Sequence, residues 1–175
     1  GRRIVELTES ARLLMDMFRG EVSAGQQIVN LTDHVEREAR NLAETYDSAS
    51  VTLDLPPGGP VFVRGNSTLS SVFGNLLTNA VRHNDKPVAE VQVTASEDAE
   101  TASVAVADNG PGIPDEQKVT IFGKGEKGLA SSGTGIGLYL VGALVEQFGG
   151  RVWVEDNDPV GSVFFVELPK VNPPE

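Results

Sequence analysis

The sequence predicts an α+β fold: a two-layer α/β sandwich with a mostly antiparallel, mixed sheet, helices on one face and a helical stub in front. Three observations predict it. Segments with apolar residues at every second position, "VAEVQVTA" and "TASVAVAD", then "RVWVED" and "SVFFVELP", come in pairs joined by turn-forming residues. Other segments, 31–46, 69–82 and 136–148, carry apolar residues at spacings of three and four, the period of a helix with one buried face. Finally, 175 residues of which 39% are hydrophobic can bury one good core.

Residues 3–19 open the chain with Ile4, Leu7, Ala11, Leu14 and Phe18 on one helical seam. Such a seam suits either a dimer or bundle stub or a helix folded onto its own domain. We therefore divide the chain into a stub at 1–22, a domain at 23–170 and a tail at 171–175. Gly20 and Gly25 bracket a connector, and Asn30 with Asp33 can cap a second helix reaching Tyr46. Leu31, Val35, Ala39, Leu42 and Tyr46 line its buried side. "VTLDL", the turn "PPGGP" and "VFVRG" then read as a hairpin. Asn66 or Ser67 caps the next helix, whose buried arc is Leu69, Val72, Phe73, Leu76, Leu77 and Ala80. Gly149 and Gly150 end the last helix, and "NDPVG" turns the last hairpin.

Composition excludes several function classes. With no cysteine there is no disulfide framework, thiolate nucleophile or zinc-thiolate site. The 25 acidic against 14 basic residues give a net charge of -11, which argues against a nucleic-acid partner. That acidic shell suits a salt-rich environment and equally an ordinary acidic cytoplasmic protein. No apolar run approaches a membrane span and the first residues do not read as a signal peptide, so we expect a soluble, cytoplasmic fragment without membrane contact.

Three segments carry candidate chemistry. In "NLLTNAVRH", residues 75–83, Asn75, Asn79 and Arg82 fall within about 60° of one another on the helix, with His83 at the edge of the strip. An uncharged amide oxygen can complete the shell of a Mg²⁺ ion held mainly by phosphate and water; it can equally satisfy a neighbouring backbone group. "VAVADNGPGIP" runs a strand into Asp108, with Gly110 and Gly112 where backbone must approach closely. A carboxylate at a strand end can accept from an exocyclic amine such as that of adenine, although Asp-Asn-Gly is also ordinary turn chemistry. "SSGTGIGLYL" sets Gly133, Gly135 and Gly137 at a helix start, where unpaired N–H groups form a phosphate cradle. The dinucleotide fingerprint and the P-loop both fail: the glycine spacing is G-x-G-x-G, and Thr134 stands where the P-loop needs lysine.

In their order along residues 66–148, these segments resemble the ATP-binding domain shared by sensor histidine kinases, DNA gyrase, a heat-shock chaperone and mismatch-repair ATPases. "NLLTNAVRH" is similar to the N box, "DNGPGIP" to the first glycine box, "IFGKGEKG" to the phenylalanine-containing lid box and "GTGIGL" to the second glycine box. The resemblance implies the Bergerat-type sandwich and binding of ATP with Mg²⁺. It implies Asn79 as the metal ligand, Arg82 near the phosphates, His83 beside the adenine or ribose and Asp108 on the adenine amine. Asn75, Gly110, Gly112, Ile113, Gly133, Thr134, Gly135, Ile136, Gly137 and Leu138 would surround the nucleotide, and Phe122 would anchor a lid over 123–132.

The histidine-kinase branch fits best, because gyrase-type members carry a hydrolytic glutamate where this chain has Asn75, and an amide cannot act as a general base. The expected activity is therefore transfer of the γ-phosphate to a histidine. His34 lacks the acidic and proline neighbours of an acceptor and is expected at a helix surface or boundary, so the acceptor would lie on a dimerisation domain upstream of this chain. The expected partners are that phosphoacceptor domain, a response regulator and a second copy through the N-terminal helix. The lid box departs from the family pattern, leaving Lys124 and Lys127 as possible γ-phosphate contacts or solvated loop lysines. An anti-sigma-type serine kinase and a non-catalytic nucleotide sensor share the four boxes and are the alternatives.

Overall fold

The computed structural model describes residues 2–20, 25–123 and 136–175. Along the chain run α1 (Arg2–Phe18), β1 (Gln27–Asn30), α2 (Leu31–Thr45), β2 (Ala49–Asp54), β3 (Phe62–Gly65), α3 (Leu69–Arg82), β4 (Ala89–Glu97), β5 (Thr101–Asp108), α4 (Asp115–Lys118), α5 (Ile136–Gln147), β6 (Arg151–Asp156) and β7 (Ser162–Val171). The strands form one sheet in the order β1-β3-β7-β5-β4-β2, with β6 also paired to β7. Only β2 and β4 run parallel; the other pairings among the described residues are antiparallel. This is the open α+β arrangement expected from the sequence.

Alternation along the strands decides which side is buried. Val91, Val93 and Ala95 of β4, Val104 and Val106 of β5, and Phe164, Val166 and Leu168 of β7 all point into one core. The helices close that core from a single side: Val72, Phe73, Leu76 and Leu77 of α3 and Leu140 and Leu144 of α5 are fully buried in it. All six residues expected on the buried arc of α3 are buried. β5 occupies one edge of β7, so β6 and β3 share the other, β6 along 162–167 and β3 at 170–171.

Several local expectations need correction. "VTLDL" and "VFVRG" are strands, but not a hairpin: β2 pairs with β4 at one edge of the sheet, while β3 lies four strands away between β1 and β7. Residues 55–61 bridge the gap, since four strand spacings are about 19 Å and that connector reaches about 25 Å when extended. Alternation fixes which face a strand buries and says nothing about its partner. The connector before α2 also contains a strand, β1, ending at the residue that caps the helix: the Asn30 side chain accepts from the Asp33 N–H at 3.4 Å. His34, expected at a surface or boundary, is buried at the boundary between α2 and α3, where its Nδ1 lies 3.0 Å from Ser70 Oγ.

Near its end α1 packs Leu13 and Leu14 against the core and touches α5, while Ile4 and Met15 stay exposed. Neither Asn66 nor Ser67, the expected caps, holds that place before α3: the N-cap is Thr68, without a side-chain cap bond, and Asn66 instead forms a side-chain turn in which its Oδ1 accepts from the Thr68 N–H at 2.9 Å. No helix among the described residues is long and apolar enough to cross a membrane.

Candidate functional site

The end of β5, the last turn of α3 and the start of β7 converge on a small cleft that is partly open to solvent. Asn79, Ala80 and His83 line it from the helix, Asp108 from the end of β5, Pro111, Gly112 and Ile113 from the following loop, and Ser162 and Phe164 from β7. Mixed apolar walls with a few convergent polar groups are what a small-molecule site requires.

Asp108 is 8% exposed. Its Oδ1 accepts the backbone N–H of Gly110 at 2.9 Å and that of Ser162 at 3.3 Å. Both bonds land on one oxygen, leaving Oδ2 as the acceptor available to a ligand. Burial raises its pKa above the ordinary carboxylate value; the two N–H bonds and His83 oppose that shift. The His83 ring is shifted the other way, lowered by burial first and by the Arg82 guanidinium second, with Asp108 opposing. The cleft thus carries a carboxylate and an imidazole side by side.

The turn between β6 and β7 holds Asp108 from behind. Asn157 Nδ2 donates to the Asp108 carbonyl at 2.8 Å, and Gly161, at φ +108°, presses so close that a Cβ there would stand 1.9 Å from the same oxygen. Only glycine fits that place. Gly112 adopts φ +80° against the Gly161 carbonyl, which turns the glycine-box loop back over the cleft. Gly110 sits against Asp108 Oδ1, with the His83 carbonyl and Asn84 Cα also close.

Asn79 lines the cleft, and its side chain makes no hydrogen bond to another described residue. Asn75 behaves differently: its Nδ2 donates to the Ser71 carbonyl at 2.6 Å, and its Oδ1 lies where a Cβ on Gly137 would come within 2.8 Å. It joins α3 to the first turn of α5. Arg82 is exposed at the end of α3. Ile136 is half-buried at the start of α5, and Leu138 is a core residue. Phe122 stands edge-on to Phe164, centroids 6.1 Å apart at 87°, and packs beneath Gly142 of α5, so it supports the cleft wall from outside. Lys124, Lys127, Gly133, Thr134, Gly135 and the segment read as a lid beyond Gly123 lie outside the described residues.

Sequence reasoning missed Asn84, Asn109, Asn157, Gly161, Ser162 and Phe164. Asn84 Nδ2 donates to Asn109 Oδ1 at 2.7 Å, tying the end of α3 to the loop after Asp108. The signals were thin: Asn109 reads as half of a turn dipeptide, Asn84 falls two residues past the helix, and Gly161 reads as the tail of a hairpin turn.

Comparison with known proteins agrees with this geometry. Residues 65–172 match the family model described as histidine kinase-, DNA gyrase B- and HSP90-like ATPase. The chain is 31% identical over 173 residues to the sensor histidine kinase DpiB of Escherichia coli, covering 95% of this chain and 30% of that protein. It is 32% identical to the sensor protein KdpD of the same organism, covering 99% of this chain and 20% of that protein. The chain therefore spans less than a third of either relative. Among solved structures, the mycobacterial sensor histidine kinase MprB superposes with a TM-score of 0.75 at 25% identity, over 83% of this chain and 97% of that one. The catalytic domain of histidine kinase ThkA shares the fold, with a TM-score of 0.73 at 24% identity over 84% and 99%. The chain belongs to the histidine kinase-, DNA gyrase B- and HSP90-like ATPase family, as an ATP-binding catalytic domain of the sensor-histidine-kinase type.

Proposed function

We propose that this domain holds Mg-ATP in the cleft between α3 and β5 and passes its γ-phosphate to a histidine on a dimerisation domain outside this chain. A response regulator then takes the phosphate from that histidine. The carrying observation is Asp108: a buried carboxylate with one oxygen fixed by two backbone N–H groups and the other left to receive an exocyclic amine. His83 flanks the base from the helix side. Asn79, whose amide is uncommitted among the described residues, offers a hard neutral oxygen that fits Mg²⁺, and the bound ion supplies charge neutralisation for the phosphates. Arg82, with Lys124 or Lys127, is the cationic set for the phosphate chain. The glycines at 133, 135 and 137 precede or open α5, whose N-terminal N–H groups favour an anion.

Transfer rather than hydrolysis follows from Asn75. Its amide is spent on the Ser71 carbonyl, so it neither abstracts a proton from water nor orients one as a carboxylate would. The acceptor is an imidazole nitrogen: the new P–N bond forms as the bond from the γ-phosphorus to the bridging oxygen breaks, and ADP leaves with that oxygen's charge. Homodimerisation falls to α1, whose Ile4 is 70% exposed and aligned with Met15 along one side. The proposed use of ATP supports reading the domain as cytoplasmic.

Calorimetry tests the binding half of this reading. Asp108→Ala should cost about tenfold or more in ADP affinity, because the base amine loses its acceptor in the cleft. Asn79→Ala should weaken Mg-ATP far more than metal-free ADP. Unchanged ADP affinity in Asp108→Ala overturns the adenine assignment, and equal losses in Asn79→Ala make that residue scaffolding.

A further inference from the structure

We infer that Asn84 and Asn109 are a positioning pair that sets the cleft's preference for a 6-amino over a 6-oxo purine; the inference rests on the adenine reading of the cleft. Each follows directly a residue that lines the cleft, Asn84 after His83 and Asn109 after Asp108. Linked through Asn84 Nδ2 and Asn109 Oδ1 at 2.7 Å, they join the helix that carries the imidazole to the strand end that carries the carboxylate.

Backbone partners fix how both amides are turned. Asn84 Oδ1 accepts the Lys86 N–H at 2.9 Å, and its Nδ2 also donates to the Ala80 carbonyl at 3.3 Å. Asn109 Oδ1 accepts the Glu90 N–H at 3.0 Å as well as the Asn84 amide, while its Nδ2 donates to the Val88 carbonyl at 3.3 Å. A flip of either amide would set like groups against each other, so the pair has one arrangement. Three segments are thereby locked together: the end of α3, the start of β4 and the loop after β5. Gly110 shows how close the lock is, because a Cβ there would sit 3.6 Å from both the His83 carbonyl and Asn84 Cα.

Discrimination depends on this distance more than affinity does. A carboxylate accepts from a 6-amino group and repels a 6-oxo group, but only where the base edge is held against it. Apolar walls such as Ile113 and Phe164 grip either purine equally. If the pair is broken, Asp108 and His83 can move apart, and the difference between the two purines shrinks while general binding survives.

ADP and inosine diphosphate affinities, measured by calorimetry on the same protein, test this. Asn84→Asp is nearly isosteric and keeps the acceptor for Lys86, but it sets an oxygen against Asn109 Oδ1. Asn109→Ala removes the partner, and Asn84→Ala gives a milder break should the charged variant fail to fold. Wild type should prefer ADP by about tenfold or more, and each variant should bring that ratio towards the value in Asp108→Asn. The double alanine variant should lower it no further than the worse single variant, because both remove one bridge. Equal losses for the two nucleotides, with the ratio intact, would show ordinary structural support and overturn the inference while leaving the adenine reading standing. A wild type that does not distinguish ADP from inosine diphosphate would overturn both.

Discussion

Asp108 meets two demands that pull against each other. The nucleotide reading needs an ionised acceptor, whereas burial raises its pKa, so the charged form costs the folded state stability. A carboxyl raised in this way contributes its full stability below the unfolded value, near 3.9, and loses it as pH rises through the folded value. Asp108→Asn keeps an acceptor for Gly110 and Ser162 and removes the charge. It should therefore melt at or above the wild-type temperature at pH 7, with the gain shrinking towards pH 4, while ADP affinity falls; a variant that melts lower at pH 7 than at pH 4, relative to wild type, contradicts this. Gly161 is the complementary case: Gly161→Ala combines φ +108° with a Cβ 1.9 Å from the Asp108 carbonyl and should cost at least about 2 kcal/mol in urea unfolding. A loss within about 0.5 kcal/mol would mean the turn relaxes freely. Asn79, His83, Asp108, Gly112 and Ile113 were legible in the sequence as site residues and do line the cleft. Asn157 and Gly161 were not, because they reach Asp108 from some fifty positions away in sequence, and such pairings leave no local period.

At the scale of elements, what repeats locally was legible and what depends on partners was not. The hairpins β4–β5 and β6–β7 follow from alternation interrupted by turn residues, and the buried faces of α2 and α3 from helical spacing. β1 escaped notice because "QIVN" is four residues long with two of them exposed, too short for a pattern. The false hairpin arose because two strands close in sequence suggest pairing, whereas the parallel bond of β2 to β4 requires a crossover, supplied by α3 with β3. Phe122, in the turn that follows α4, supports the site from outside any helix or strand. It packs edge-on to the cleft residue Phe164 and beneath Gly142, so Phe122→Ala should cost about 1–3 kcal/mol, less than a fully buried ring, and should also weaken ADP binding. Thermal melting and calorimetry on the same sample check both, and a loss of stability with unchanged ADP affinity would confine Phe122 to packing.

Across the whole molecule, helices on one side of the sheet and strand and helix ends at one cleft give a platform that can hold a nucleotide and present its phosphates outward. The described chain supplies no base for water at the position of Asn75 and no histidine in an acceptor context, since His34 is buried between helices and His83 belongs to the cleft. On the proposed histidine-kinase reading, phosphoryl transfer needs a second domain, and separating the two forfeits the effective concentration that a covalent link provides. Incubation with ATP labelled on the γ-phosphate, with and without a dimerisation-domain fragment bearing the acceptor histidine, measures this directly. The chain alone should release phosphate only at a low background, because general-base help worth about 10² to 10⁴ in rate is missing. With the fragment, label should move slowly onto it in an acid-labile, alkali-stable linkage. Rapid phosphate release by the chain alone, or an acid-stable phosphoserine on a partner, would contradict the histidine-kinase account.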